Sequence, residues 1–434
     1  MEKIKHNKRF WLALAIFSLT GQVAWTVENM YFNVFIYKMF HASASAISAM
    51  VAASAVAATV TTLLIGALSD KLGKRKIFIC GGYIAWGITI WAFSLVRMDV
   101  IEGLFPHVAS AASLGVSITI LLDCVMTFFG SSANDACFNA WLTDVSDDTN
   151  RGKVEGINAM MPLVSILVVF GGFMSFDLNK PESWVTVFNI IGIAVIAIGV
   201  LGFFLIREPQ VRTAENQNYF ANIFYGFRPA VVRDNKNLYL TLALLALFNI
   251  SIQVFMPYLI LYYTEYLRMD NYVLIFAPAI LLAAAFTAVY GRVYDRKGFR
   301  TAAIPAIALL MAGYVVLYFF RSTVPVFLGT LLMLCGYLAG MAVFGAMLRD
   351  RTPANKAGMV QGQRIVGQVL IPGIIGPAIG AAVLKNAEMI IGDDGTASFV
   401  PNENIFLAAF IAAVFIWAVL IPLFAMIKKK ETAK

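Results

Sequence analysis

The feature that most constrains this chain is the recurrence of apolar runs about as long as a bilayer is thick. A hydrocarbon layer of about 30 Å takes ~20 helical residues to cross. Such runs fall near 10–37, 44–68, 77–97, 111–142, 155–176 and 184–206, and again near 238–264, 272–292, 301–320, 324–348, 359–384 and 404–427. With 60% of its 434 residues hydrophobic and 13% charged, the chain would expose large apolar patches in water. In lipid each backbone polar group must be satisfied within its own segment. The expectation is therefore an all-α integral membrane protein of twelve transmembrane helices, six in each half.

Charge placement orients these spans. With both termini cytoplasmic, the inner loops and termini gather every Lys and Arg except Lys38, Arg97, Lys180, Arg268, Arg321 and Lys385 on outer loops and Arg364 inside a span. That asymmetry predicts a multi-pass protein of the cell membrane. The net charge of +8 is then a topology signal that calls for no nucleic-acid partner. Cys80, Cys124, Cys137 and Cys335 fall in or beside spans, so no structural disulfide is expected. Histidines 6, 41 and 107 are scattered, and neither a metal site nor a cofactor is expected. The first span is too long and too polar for a cleaved signal peptide.

The chain repeats itself. Gly66, Asp70 and Gly73 of GALSDKLGKRK return at one common offset as Gly291, Asp295 and Gly298 of GRVYDRKGFR. Asp144, Gly152 and Gly156 return at a second common offset as Asp350, Gly358 and Gly362. A Gly-x-x-x-Asp-x-x-Gly-basic turn between the second and third helix of each half resembles the signature loop of the major facilitator superfamily. That resemblance implies two pseudo-symmetric six-helix bundles, 1–206 and 238–434, joined by a cytoplasmic linker, 207–237. It further implies a solute site between the bundles near mid-membrane, with alternating access by rocking. The same resemblance implies a cytoplasmic latch of Asp70, Lys74 and Arg75 with Asp295, Arg296 and Arg300, and Asp144, Arg151 and Arg364 join them as gating candidates.

A closer likeness, to the glycoside-pentoside-hexuronide cation symporters and their sucrose-symporter-like relatives, rests on two segments. They are NDACFNAWLTDVSDDTNRGKVEG from Asn134 and the polar loop DDGTASFVPNENIF from Asp393. This implies uptake of a sugar or oligosaccharide with a coupling cation. Melibiose-type members carry acids for that cation in span two, where this chain has Thr59, Thr61 and Thr62. Coupling to a proton, or to no ion, is thereby favoured over sodium.

Polar residues inside the spans are the site candidates, because ionisable groups at that depth cost roughly 2.5 to 3.5 kcal/mol and face a cavity or a partner. Gln22, Trp25, Glu28 and Asn29 recur on one face of span one. Glu28 either lines a cavity or locks two helices together, and Trp25 either stacks on a solute or packs. Asp135 lies nine residues above Asp144, about 13 Å along a helix and so near the bilayer middle. Asp123 by the same count reaches the outer surface, where water solvates it. Asn249, Gln253 and Tyr262 form the polar face of span seven, offered either to a solute or to neighbouring helices. Arg364 either snorkels to the cytoplasmic surface or reaches a buried carboxylate.

In the mechanism that follows, Glu28 binds sugar hydroxyls, Trp25 stacks on the sugar and Asp135, or alternatively Glu28, carries the coupling proton. Neutralising Asp135 lowers the cost of closing the site away from water. The rival on the same scaffold is an exporter of drugs or metabolites. A membrane-embedded enzyme would need a clustered nucleophile, acid–base pair or metal-binding motif, and the sequence carries none. The chain is expected to act as a monomer.

Overall fold

A computed structural model describes residues 7–146, 150–208, 228–269, 271–351, 362–391 and 396–431. Within them, eleven helices are long and apolar enough to cross a membrane. The first half holds α1 (Lys8–Phe40), α2 (Ala44–Leu72), α3 (Lys76–Leu95), α4 (Ala111–Asp144), α5 (Lys153–Phe173) and α6 (Pro181–Leu205). The second begins with α7 (Lys236–Tyr266) and a 47-residue helix, Val273–Phe319.

That long helix is two crossings. Its ideal length of about 70 Å is more than twice the hydrocarbon depth, and Gly298 interrupts it with φ 75° and ψ 178°, a region essentially closed to residues with a Cβ. The Tyr290 hydroxyl donates to the Ala302 carbonyl at 2.7 Å, although a straight helix would separate those positions by about 18 Å. The chain therefore folds back at Gly298 into α8 (273–297) and α9 (299–319). Then come α10 (Thr323–Leu348), α11 (Gly362–Val383) and α12 (Asn404–Ala425). Twelve crossings result, six before and six after the linker.

Local chemistry sets several boundaries. Asn7 caps α1 by accepting from Phe10 N at 3.0 Å, and Ser43 caps α2 by accepting from Ala46 N at 3.2 Å. Gly73 ends α2 with φ 63° and donates to the Asp70 carbonyl, the left-handed C-terminal turn that glycine adopts most cheaply. Gly73 and Gly298 hold the same place in the repeat, and both use glycine's freedom at positive φ.

The described residues form two compact units. One holds α1 to α6 apart from 47–52, which group with α7 to α12 in the other. Unit one has an aromatic core around Phe17, Tyr31, Phe35, Trp86, Trp141 and Trp184, and unit two one around Tyr258, Tyr262, Tyr263 and Tyr314. Of the predicted linker, residues 209–227 lie outside the described part; Pro229–Asp234 is helical. The polar loop before α12 contains a small hairpin, β1 (Met389–Ile391) antiparallel to β2 (Ala397–Phe399), anchored by buried Phe399 against Tyr258.

Candidate functional site

In unit one the membrane interior holds three carboxylates, on α1 and α4. Glu28 is 8% exposed; its Oε1 accepts from Ser54 Oγ at 2.6 Å and from Thr127 Oγ1 at 3.0 Å. Its Oε2 is buried and meets no donor among the described residues. Asp123 is the correction to the sequence reading. Instead of lying in outer water it is 1% exposed, close enough to Glu28 for the two charges to repel, and its Oδ1 also meets no donor among the described residues. Counting residues along α4 leaves exposure undecided; it is set by neighbours such as Glu28 of α1 and Ser54 of α2, which lie against Asp123.

Asp135 sits within electrostatic range of Glu28. Its Oδ2 accepts from Ser131 Oγ at 3.0 Å and its Oδ1 from Asn134 Nδ2 at 3.1 Å. The Asn134 Oδ1 lies 3.0 Å from the Tyr83 hydroxyl, which is also 2.9 Å from the Phe17 carbonyl. Backbone irregularity aims these acids: Val27–Phe32 around Glu28 and Ser131–Phe138 around Asp135 are π-helical. The wider turn rotates the following side chains and recurs at functional sites. Close approach of α1 to α4 depends on absent side chains. A Cβ at Gly21 would lie 2.5 Å from Asn134 Oδ1, and one at Gly130 would lie 2.7 Å from Trp86 and 2.9 Å from Trp25.

Trp25 packs on Trp86 with ring centroids 4.9 Å apart. Its indole N–H lies against the Asp135 carboxylate at a geometry short of a hydrogen bond. The ring is half-buried and forms a wall of the acidic cluster, in keeping with the packing use that the sequence left open beside stacking on a solute. Asn29 is exposed, with its amide donating to the Trp25 carbonyl at 2.7 Å, and Gln22 is half-buried.

The polar face of α7 is largely consumed inside unit two. Tyr262 is fully buried, donates to the Leu317 carbonyl at 3.1 Å and stacks on Tyr266; of the two uses the sequence left open, a solute or neighbouring helices, these contacts are of the second kind. Asn249 donates back to Leu245 at 2.8 Å. Gln253 is half-buried where α7 meets α11 at Gly376. Arg364 turns along its own helix, with Nε donating to Gln368 Oε1 at 2.9 Å.

The first signature loop is an ion cluster. Arg75, 3% exposed, pairs with Asp70, with Asp144 Oδ2 at 2.9 Å and with Ser69 Oγ at 2.9 Å. Burial by itself would lower the Arg75 guanidinium, but Asp144 and Asp70 outweigh it and hold it above its ordinary value. Glu208, which sequence reading missed, accepts from the Arg75 and Lys76 backbone N–H groups that open α3, a favourable place for an anion. The available signal was an acid directly after span six, on the same face of the membrane as the loop. Lys74 is exposed; of Arg151 only its place at the start of the helix Arg151–Phe173 is described.

The second copy differs. Asp295, Arg296 and Arg300 are exposed and make no ion pair among the described residues. Asp350 accepts from the Tyr294 hydroxyl, and Arg300 lies over the Phe424 ring at 5.5 Å. No group of three or more potential metal ligands occurs among the described residues.

A family model described as Major Facilitator Superfamily matches residues 10–377. No curated protein matches the sequence. Among solved structures, the nucleoside transporter NupG is 12% identical with a TM-score of 0.69, covering 96% of this chain and 98% of that one. A bacterial homolog of the human lysosomal transporter Spinster, inward-facing and unoccupied, is 15% identical with a TM-score of 0.68, covering 97% of each chain. The xylose transporter XylE from E. coli, partially occluded and inward open, is 14% identical with a TM-score of 0.66, covering 94% and 99%. At these identities the likeness is one of fold.

Proposed function

Since the chain belongs to the Major Facilitator Superfamily and is a membrane transporter, not an enzyme, we propose that it takes up a sugar or oligosaccharide together with a proton. The bundles 1–206 and 238–434, linked by 207–237, give alternating access, in a monomer of the cell membrane with both termini cytoplasmic. The observation that carries this reading is the acidic string of buried Glu28 and Asp123 and half-buried Asp135 in helices with no Lys or Arg in their membrane interior. Several kcal/mol oppose an unpaired buried carboxylate, so the cluster is relieved when a proton or a solute hydroxyl arrives. Asp135, held by Ser131 and Asn134, carries the proton. Glu28 presents its Oε2, which meets no donor among the described residues, to a sugar hydroxyl, and Gln22 and Asn29 extend that polar face.

Within the superfamily, the glycoside-pentoside-hexuronide cation symporters are the proposed kin, with threonines in α2 favouring proton over sodium. Asp70, Arg75 and Asp144 act as a gate whose making and breaking accompanies turnover. A second reading, export of amphipathic compounds, is favoured by one feature: a cavity of about 550 Å³ beside the acids, lined by Ala53, Val56, Val60, Thr61, Cys124 and Phe128. A thermal-unfolding screen of the purified protein separates them, since a ligand bound only by the folded state raises the transition. A rise with one sugar or a related set supports uptake of sugar. No rise with any sugar, beside a rise with amphipathic compounds, overturns it.

A further inference from the structure

The two copies of the repeated loop end in opposite electrostatic states. In the first, Asp70 and Asp144 surround Arg75 and Glu208 takes the adjoining backbone N–H groups. In the second, the corresponding acids are exposed, spent or missing. Asp295, the counterpart of Asp70, is exposed, and Asp350, the counterpart of Asp144, accepts from Tyr294. Where Glu208 follows α6, the residues following α12 include Lys428, Lys429 and Lys430, and 352–361 contain no acid at all. Meanwhile Arg292, with Arg296 one helical turn on and Lys297 next to it, lines one cavity of about 320 Å³ at the end of α8 together with Val289 and Val293. All three cations are exposed, none makes an ion pair among the described residues, and Val289 is 62% exposed. Asp295 is the one acid between 289 and 300.

We propose that this end of α8 binds the phosphate of an anionic phospholipid. The lipid supplies from the bilayer the negative charge that Asp70, Asp144 and Glu208 supply within the chain at the first loop. Guanidinium groups match phosphate oxygens in pairs, and basic side chains at the end of a membrane helix sit at headgroup depth. The valines below them offer an apolar wall to an acyl chain, which a soluble phosphate would not use. The inference needs only that α8 crosses the bilayer; it is independent of the cargo and of the coupling ion.

The test is native mass spectrometry of the full-length protein released from mixed micelles of phosphatidylglycerol and phosphatidylcholine, reading the ratio of the two lipid adducts. Each basic residue at a charged surface is worth roughly a fivefold preference, so three together give on the order of a hundredfold. The parent should retain phosphatidylglycerol selectively. Arg292→Gln/Arg296→Gln/Lys297→Gln should lose most of that selectivity, and Arg292→Lys/Arg296→Lys should keep most of it. These exposed positions leave folding intact, which an unchanged elution profile on size exclusion checks. Equal selectivity in the triple Gln variant overturns the proposal. Displacement of the lipid by glycerol phosphate overturns it in favour of a soluble anion.

Discussion

Replacing Arg75 is the sharpest test of the gate, because its charge is enclosed while its partners are not. The Arg75 side chain is 4% exposed, against 38% for Asp70 and 24% for Asp144. Removing one partner from a buried pair costs roughly 3 to 5 kcal/mol, and the partial exposure of both acids puts Arg75→Gln near the lower end of that range. Asp144→Asn leaves the guanidinium with Asp70 and Ser69 and exchanges one charge-assisted bond for a neutral one, a loss of about 1 to 1.5 kcal/mol. Lys74→Gln, at an exposed side chain, should stay within about 0.5 kcal/mol. Arg300→Gln in the second loop forfeits a cation–π contact worth about 0.5 to 1 kcal/mol. Thermal unfolding of the four variants in one detergent at one scan rate, fixed because irreversible unfolding depends on it, should rank Arg75→Gln lowest, then Asp144→Asn, with the other two near the parent. If Arg300→Gln falls as far as Arg75→Gln, the asymmetry between the loops is refuted.

Two further predictions concern packing and pH. A Cβ at Gly336 would overlap the Leu310 backbone nitrogen, whereas one at Gly345 on the same helix meets nothing within 4 Å. Gly336→Ala should therefore destabilise by about 1 to 3 kcal/mol and Gly345→Ala stabilise by up to about 1 kcal/mol; melting shifts of the same sign would refute the close approach of α9 to α10. Burial by itself would raise the Glu403 carboxyl, but the Tyr266 hydroxyl, its own backbone N–H and Arg321 at 3.0 Å outweigh it and hold it below the ordinary range. A lowered carboxyl adds stability above its unfolded value near about 4.3 and loses it as pH falls through the folded value. With the partners 34% and 26% exposed, that contribution is at most about 1 kcal/mol. The melting difference between parent and Glu403→Gln should close in acid, and a widening one contradicts the assignment.

The twelve crossings were legible because hydrocarbon depth and helical rise leave little choice of segment length. Even the fold-back at Gly298 was written in the repeat, which pairs it with Gly73. Neighbours were not legible. Asp123 was given the wrong surroundings, since a count of residues along α4 says nothing about which helices cover a face. Tyr262 has the same helical spacing as a cavity residue, yet its phenol is filled by α9 and Tyr266. The two signature loops read alike because their own residues match; what separates them is Glu208, outside the motif, and the Tyr294 hydroxyl that takes Asp350. The π-helical turns at Glu28 and Asp135 left no sequence signal we identified, and they decide where both acids point.

The central claim, that Asp135 carries the proton that drives solute uptake, is tested most directly in sealed vesicles of purified Asp135→Asn protein, with the sugar found by the unfolding screen. The neutral side chain mimics the protonated carboxyl, so the carrier should still exchange labelled for unlabelled sugar across the membrane. It should no longer accumulate sugar against a gradient when an inward proton gradient is imposed, and adding sugar should no longer draw protons inward. Uphill accumulation with sugar-induced proton uptake at the parent's rate would contradict the claim and pass the coupling role to Glu28.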